Sequence, residues 1–269
     1  MKCPAKINMY LNIVEKDDKY HKMHMVNQSV SIFDILTIKK IDKGIILKSN
    51  SESLPLDETN SVYKACNEFL NYTKIDTGVE VYIEKHIPME SGLGGESTDA
   101  AGVLVGLNTL LDTNLDEEEL LSLGLKVGCD VPFCIKSSTQ EVEGYGEVLK
   151  EYECNYSNFL VVTPPFGLST KEMFSKYDSL DDYSTIPITI GHNDFHKVIT
   201  KDIKELIELV SNTDSKYSFL TGSGSSVVGI YNNKEDLKKA FDLIKNKLND
   251  SYKVFMVNSV SKIEINIGE

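Results

Sequence analysis

The chain has 269 residues, with 28 basic against 41 acidic side chains and a formal net charge of −13. Hydrophobic residues at 41% and charged residues at 26% exclude a disordered chain, and the length suits one large domain or two small ones. No apolar run approaches the ~20 residues of a membrane span, and so large an acidic excess argues against a nucleic-acid partner. The N-terminus has no signal or transit character. Five cysteines without a Cys-x-x-Cys pair are expected as buried free thiols in a reducing cytoplasm.

Residues 6–14 alternate, with Ile7, Met9, Leu11 and Ile13 apolar, and predict a half-buried strand. Residues 30–38 predict a second strand. Residues 60–70 switch to helical spacing, with Val62, Ala65, Cys66 and Phe69 on one stripe. Residues 79–83 return to strand. Glycines punctuate residues 88–98, and Ala100, Ala101, Leu104, Leu107 and Leu111 mark the helix that follows. Residues 115–127 predict another helix, acidic in its first turn, with Gly128 as a left-handed cap. Further on, 159–163 read as a strand closed by Pro164 and Pro165, 170–177 as a short helix and 179–185 as a polar loop. Helices are predicted over 199–210 and 237–248, and strands over 227–231 and 254–257. The texture changes near residue 150, so two α+β lobes are expected, 1–150 and 151–269.

All 28 basic residues are lysine. Any bound phosphate is therefore held by backbone N–H groups, hydroxyls, lysine or a metal, never by a guanidinium fork. The best candidate for such a site is Pro88 followed by Gly92-Leu93-Gly94-Gly95-Glu96-Ser97-Thr98. Glycines let a ligand approach the backbone, and the loop opens a helix whose first N–H groups are unpaired and whose dipole is positive there. Ser97 and Thr98 offer hydroxyls to a phosphate or to Mg²⁺. The same residues would also make a plain turn with a Ser/Thr/Asp cap. A second run, Leu220-Thr221-Gly222-Ser223-Gly224, precedes an apolar strand. His21 and His24 have no third ligand nearby in sequence, so a nucleotide's Mg²⁺ is a better expectation than zinc.

With these motifs in place, the chain resembles a GHMP-superfamily kinase. Pro4-Ala5-Lys6-Ile7-Asn8 looks like the family's opening strand, and Tyr20-His21 followed by Gln28-Ser29-Val30 like its next block. Residues 88–101 resemble its phosphate loop. Gly128-Cys129-Asp130-Val131-Pro132-Phe133, Gly144-Tyr145-Gly146-Glu147, Asn193-Asp194-Phe195 and Leu220–Gly224 match further blocks. The resemblance implies a two-lobed α+β fold, with a ribosomal-protein-S5-like N-terminal lobe and a ferredoxin-like C-terminal lobe. It implies a cytoplasmic monomer or weak homodimer that uses ATP and Mg²⁺ on a small-molecule substrate. Asp130 would take the proton of the substrate hydroxyl and Lys6 would support the developing charge. Pro88, Gly92, Leu93, Gly94, Gly95, Glu96, Ser97 and Thr98 would hold ATP, with Thr98 on the metal.

The branch of the family it is most similar to acts on a cytidine-diphosphate-linked methylerythritol, at the 2-hydroxyl. Tyr20, His21 and Phe174 would then recognise the cytosine by stacking and edge contacts, with Asn8, Thr221 and Gly222 toward the rest of the substrate. A kinase of the same fold acting on another small alcohol, or a weakly active nucleotide-binding relative, is the alternative. The departures lie on ligand-facing loops. Lys16-Asp17-Asp18-Lys19 replaces an arginine- and glycine-containing run, so the cytidine-side loop is expected to differ at Lys19. Glu96 stands at a glycine position, Thr98 at a serine, and Ser137-Ser138 at a Gly-Gly pair. Glu96 is expected to turn out to solvent, leaving the backbone facing the phosphate.

Overall fold

Two long antiparallel strands, β1 (Lys2–Lys16) and β2 (His21–Ile41), found the first sheet. The computed structural model describes residues 1–18 and 20–265, so the expectation at Lys19 lies outside the described residues. One edge of β2 pairs with β1. The other pairs with β4 (Gly78–Glu84) along its second half and with β5 (Thr139–Gly144) along its first. β3 (Ile45–Ser49) adds parallel to β4, and β6 (Val148–Glu151) closes the opposite side. Four helices pack together over this sheet: α1 (Ser61–Thr73), α2 (Gly95–Leu110), α3 (Glu117–Val127) and α4 (Val131–Lys136). The predicted stripe of α1, Val62, Ala65, Cys66 and Phe69, is its buried face, and the Asn60 side chain caps its first turn. In α3 a reciprocal capping box between Asp116 and Glu119 sets the start.

The second sheet holds β7 (Asn158–Thr163), β8 (Tyr217–Leu220), β9 (Val227–Tyr231) and β10 (Lys253–Asn258) in the order β10-β7-β9-β8, all antiparallel. Helices α6 (Lys201–Ser211) and α7 (Lys234–Lys247) cover it, completing the ferredoxin-like arrangement. Helix α5 (Thr170–Asp178) and a 3₁₀ turn (Asp194–Lys197) follow β7 in the chain and pack on one another. That turn clamps β1: the Asp194 carboxylate accepts from the Ile13 N–H at 2.7 Å and from Asn12 Nδ2 at 2.8 Å. Among the described residues no helix is long and apolar enough to cross a membrane.

Three expectations are corrected. β1 is buried on both faces rather than one, because α2 covers one side and the second layer the other; Lys6, Asn8 and Asn12 are only 5%, 0% and 1% exposed. Gly128 is extended, with φ −178°, and closes α3 by donating its N–H to the Gly124 carbonyl. Cys129 is exposed and Cys154 half-buried, whereas Cys3, Cys66 and Cys134 are buried thiols. The strands β3, β5, β6 and β8 carry too few buried side chains each to announce themselves by pattern.

Candidate active site

A polar residue buried in a strand core needs a partner or a purpose. Lys6 has both. Its Nζ lies 3.1 Å from Asp130 Oδ2 and donates to Asn8 Oδ1 at 2.8 Å, with the lysine side chain 6% and the aspartate 32% exposed. Asp130 sits at the start of α4, so the short helix after Gly128-Cys129 carries it to β1. The pair opens onto a cleft of about 1000 Å³ lined by residues from both halves of the chain.

The glycine run forms the wall beside this pair. Leu93 O accepts from the Lys6 backbone N–H at 2.9 Å, which fixes the loop to β1. Gly94 is left-handed, with φ 69°, and a Cβ there would fall 2.7 Å from Lys6 Cγ. It also serves as the cap of α2 and makes no side-chain capping bond, so the helix dipole and its first N–H groups face the cleft uncapped. The helix thus begins inside the glycine run, earlier than the apolar periodicity marks. Pro88 and Gly92–Ser97 line the cleft, and Glu96 is exposed. Thr98 is turned away: it is fully buried, and its hydroxyl sits against the Cys134 thiol without a hydrogen bond that meets ordinary geometry. The second glycine run packs on the first, with Ser226 N–H donating to Ser91 O at 3.0 Å. Gly222 and Ser223 reach the cleft; Thr221 is buried, its hydroxyl accepting from the Asn8 N–H at 2.9 Å.

Sequence reasoning missed Lys85. Its buried ammonium bridges Asp34, to which it donates a short hydrogen bond, and Asp99 Oδ2 at 2.8 Å. A Cβ at Gly95 would lie 3.1 Å from its Nζ, so this cation stands under the first turn of α2 and also lines the cleft. Burial pushes the Asp99 carboxyl up to about 8, Lys85 pulling it back and Asp34 adding to the rise. At Lys85 burial works against the charge, but Asp99 and Asp34 outweigh it and its pKa rises. The three residues are far apart in sequence and no spacing signals them.

At the far end of the cleft, Phe174 stacks on His21, with ring centroids 4.3 Å apart and planes at 18°. His21 Nε2 lies 2.7 Å from Asp178 Oδ1, which also accepts from the Tyr183 hydroxyl, while Asp178 Oδ2 takes the Lys16 ammonium. Burial of Asp178 opposes its charge, but these donors prevail and its pKa falls. Tyr20 is 49% exposed and packs edge-on to Tyr145 at 6.2 Å. The rings expected to face one another across a base are thus arranged with His21 on Phe174 and Tyr20 on Tyr145. His24, without a metal-binding neighbour in sequence, comes within 4.8 Å of Glu141 and Glu143 across the sheet, where Lys150 already pairs with Glu143 at 2.5 Å.

A buried lysine paired with a half-buried aspartate, facing an uncapped, glycine-bounded helix N-terminus, suits transfer of an anionic group to a hydroxyl. Comparison with known proteins agrees. The profile of the GHMP kinases N terminal domain matches residues 60–138 and that of the GHMP kinases C terminal domain residues 181–250. The chain belongs to the GHMP kinase family. A 4-diphosphocytidyl-2-C-methyl-D-erythritol kinase of Clostridium tetani is 37% identical, over 94% of this chain and 98% of that one. The enzyme of the same name from Clostridioides difficile is 35% identical, over 97% and 95%. A crystal structure of 4-(cytidine 5'-diphospho)-2C-methyl-D-erythritol kinase superimposes with a TM-score of 0.79 at 23% identity, covering 96% of this chain and 98% of that one. Homoserine kinase from Cytophaga hutchinsonii shares the fold, with a TM-score of 0.71 at 16% identity over 97% and 96%.

Proposed function

We propose that the protein is an ATP-dependent kinase that phosphorylates the 2-hydroxyl of 4-diphosphocytidyl-2-C-methyl-D-erythritol, a step of isoprenoid precursor synthesis by the non-mevalonate route. The nearly full-length relatives of that name support the substrate. The observation that carries the chemistry is Lys6 Nζ at 3.1 Å from Asp130 Oδ2 beside the uncapped start of α2. Asp130 accepts the hydroxyl proton as the oxygen bonds to the γ-phosphorus and the bond to the β–γ bridging oxygen breaks, releasing ADP. The Lys6 ammonium stabilises the charge that develops, and the N–H groups of Gly95–Ser97 orient the phosphates of ATP.

The site also fits Mg²⁺. Ser97, on the cleft face of the first helical turn, is a hard oxygen donor of the kind that ion takes together with phosphate. Ser97 fills this role in place of Thr98, whose hydroxyl is sealed from the cleft. When bound, the ion neutralises phosphate charge that a chain without arginine offsets only with lysine. Phe174, His21 and Tyr20 supply the aromatic surface for the base, and free thiols suit the cytoplasm. Turnover measured across cytidylyl substrate, homoserine, mevalonate and simple polyols tests the reading. Phosphorylation of the cytidylyl substrate at far higher kcat/KM is expected; preference for a small alcohol would contradict it.

A further inference from the structure

Three amides stand in register across neighbouring strands behind the reacting pair. Asn8 of β1 is opposite Asn27 of β2, and Asn27 is opposite Gln140 of β5. All three are at most 2% exposed. Lys6 is only a donor, so its bond at 2.8 Å fixes Asn8 with Oδ1 toward the ammonium. Asn8 then presents Nδ2, which Asn27 Oδ1 accepts at 2.6 Å. Asn27 in turn presents Nδ2, and Gln140 presents Oε1. Both of those atoms are buried and make no hydrogen bond among the described residues.

A buried donor and a buried acceptor at directly paired positions, with no direct bond between them, complement one another through a single water. Beyond them, Gln140 Nε2 lies 3.4 Å from the carbonyl of Ser137, which caps the end of α4, and Asp130 stands at the start of that helix. With a water across that one gap, the amides close a circuit from Lys6 across three strands and back through α4 to Asp130. We propose that Asn27 and Gln140 are positioning residues for phosphoryl transfer: their paired amides hold Asn8 with its oxygen on Lys6 and so set the Lys6 ammonium against Asp130. This rests on Lys6 and Asp130 being the reacting pair.

Steady-state kinetics of the full chain, with ATP and the cytidylyl substrate, would compare wild type with Asn27→Leu, Gln140→Leu, the double variant and Asn27→Asp. Asn27→Leu is expected to lower kcat about tenfold while KM for both substrates stays within about twofold, because Asn8 loses the acceptor that orients it. Gln140→Leu gives a smaller loss of the same kind, and the double variant is no worse than Asn27→Leu, as expected of groups acting together. Asn27→Asp keeps kcat within about threefold, since a carboxylate still accepts from Asn8 and Gln140 can turn its amide over to donate.

A second readout does not depend on turnover. In ¹⁵N-labelled protein, solvent exchange of the Asn8 side-chain NH₂ is slow in wild type and about tenfold faster or more in Asn27→Leu. Wild-type kcat, or unchanged Asn8 exchange, in folded Asn27→Leu overturns the proposal. Should Asn27→Leu not fold, wild-type kcat in Gln140→Leu overturns it. Wild-type protein that turns over no cytidylyl substrate instead overturns the kinase reading, and Asn8 exchange then decides the amide circuit alone.

Discussion

A Cβ placed on Gly92 would fall 2.2 Å from the carbonyl oxygen of Thr221, so the two glycine runs, one from each half of the chain, meet where no side chain fits. Gly92 is also left-handed, with φ 77°. Gly92→Ala therefore costs about 1–2 kcal/mol in backbone strain and pushes the loops apart as well. Thermal denaturation should show a lower Tm, and kcat/KM for ATP should fall at least about tenfold. Unchanged values for both would mean that the loops do not hold the phosphate site together.

The carboxylate of Glu96 is exposed on the first turn of α2. In that position solvent and salt screen it from a bound phosphate. Glu96→Gln should alter ATP affinity by less than about fivefold, since an exposed charge in this setting contributes ~1 kcal/mol or less. A large loss of Mg²⁺-dependent turnover would place the metal on Glu96 rather than on Ser97.

Asp99 carries a stability signature. Its folded-state pKa is raised to about 8, chiefly by burial, whereas an unfolded aspartate titrates near ~3.9. The folded protein thus binds the extra proton between those values. The stability this group contributes is full below the unfolded pKa and is lost as pH rises toward 8. Asp99→Asn mimics the protonated acid and does not titrate, so its unfolding free energy should gain on wild type from pH 5 to pH 8, by at most about 1.4 kcal/mol per pH unit, with Tm rising in parallel. A variant less stable than wild type by the same margin across that range would instead make Asp99 a permanent anion paired with Lys85.

Stacking on an aromatic ring is worth ~1–3 kcal/mol per base. Phe174→Ala should accordingly raise KM for the cytidylyl substrate about tenfold and leave KM for ATP unchanged. No change in either constant would show that the base is held elsewhere than on the His21–Phe174 stack.

Much of this fold is written locally. The stripe of α1 and the apolar run of β9 declare themselves because a single element buries a regular set of residues. The glycine run is equally plain, since its chemistry lies in the backbone. What sequence does not show is whatever depends on a neighbour brought from afar. Lys85 meets Asp34 and Asp99 only once β2, β4 and α2 have assembled. The alternation of β1 predicts one solvated face, yet Lys6, Asn8 and Asn12 are all buried, because layers brought from elsewhere in the chain cover both sides of the strand. Thr98 follows Ser97 directly, yet one step around a helix separates the cleft from the core. The motif names the loop, and the helix phase decides which hydroxyl it offers.

The most direct test is the rate of phosphoryl transfer from ATP to 4-diphosphocytidyl-2-C-methyl-D-erythritol in wild type and in Asp130→Asn, with both substrates saturating. The variant keeps the shape of the side chain but cannot accept the proton. Turnover should fall about 10²-fold or more while KM for ATP stays within about threefold. Near-wild-type turnover in Asp130→Asn would contradict the assignment of Asp130 as the base and with it the mechanism built on the Lys6–Asp130 pair.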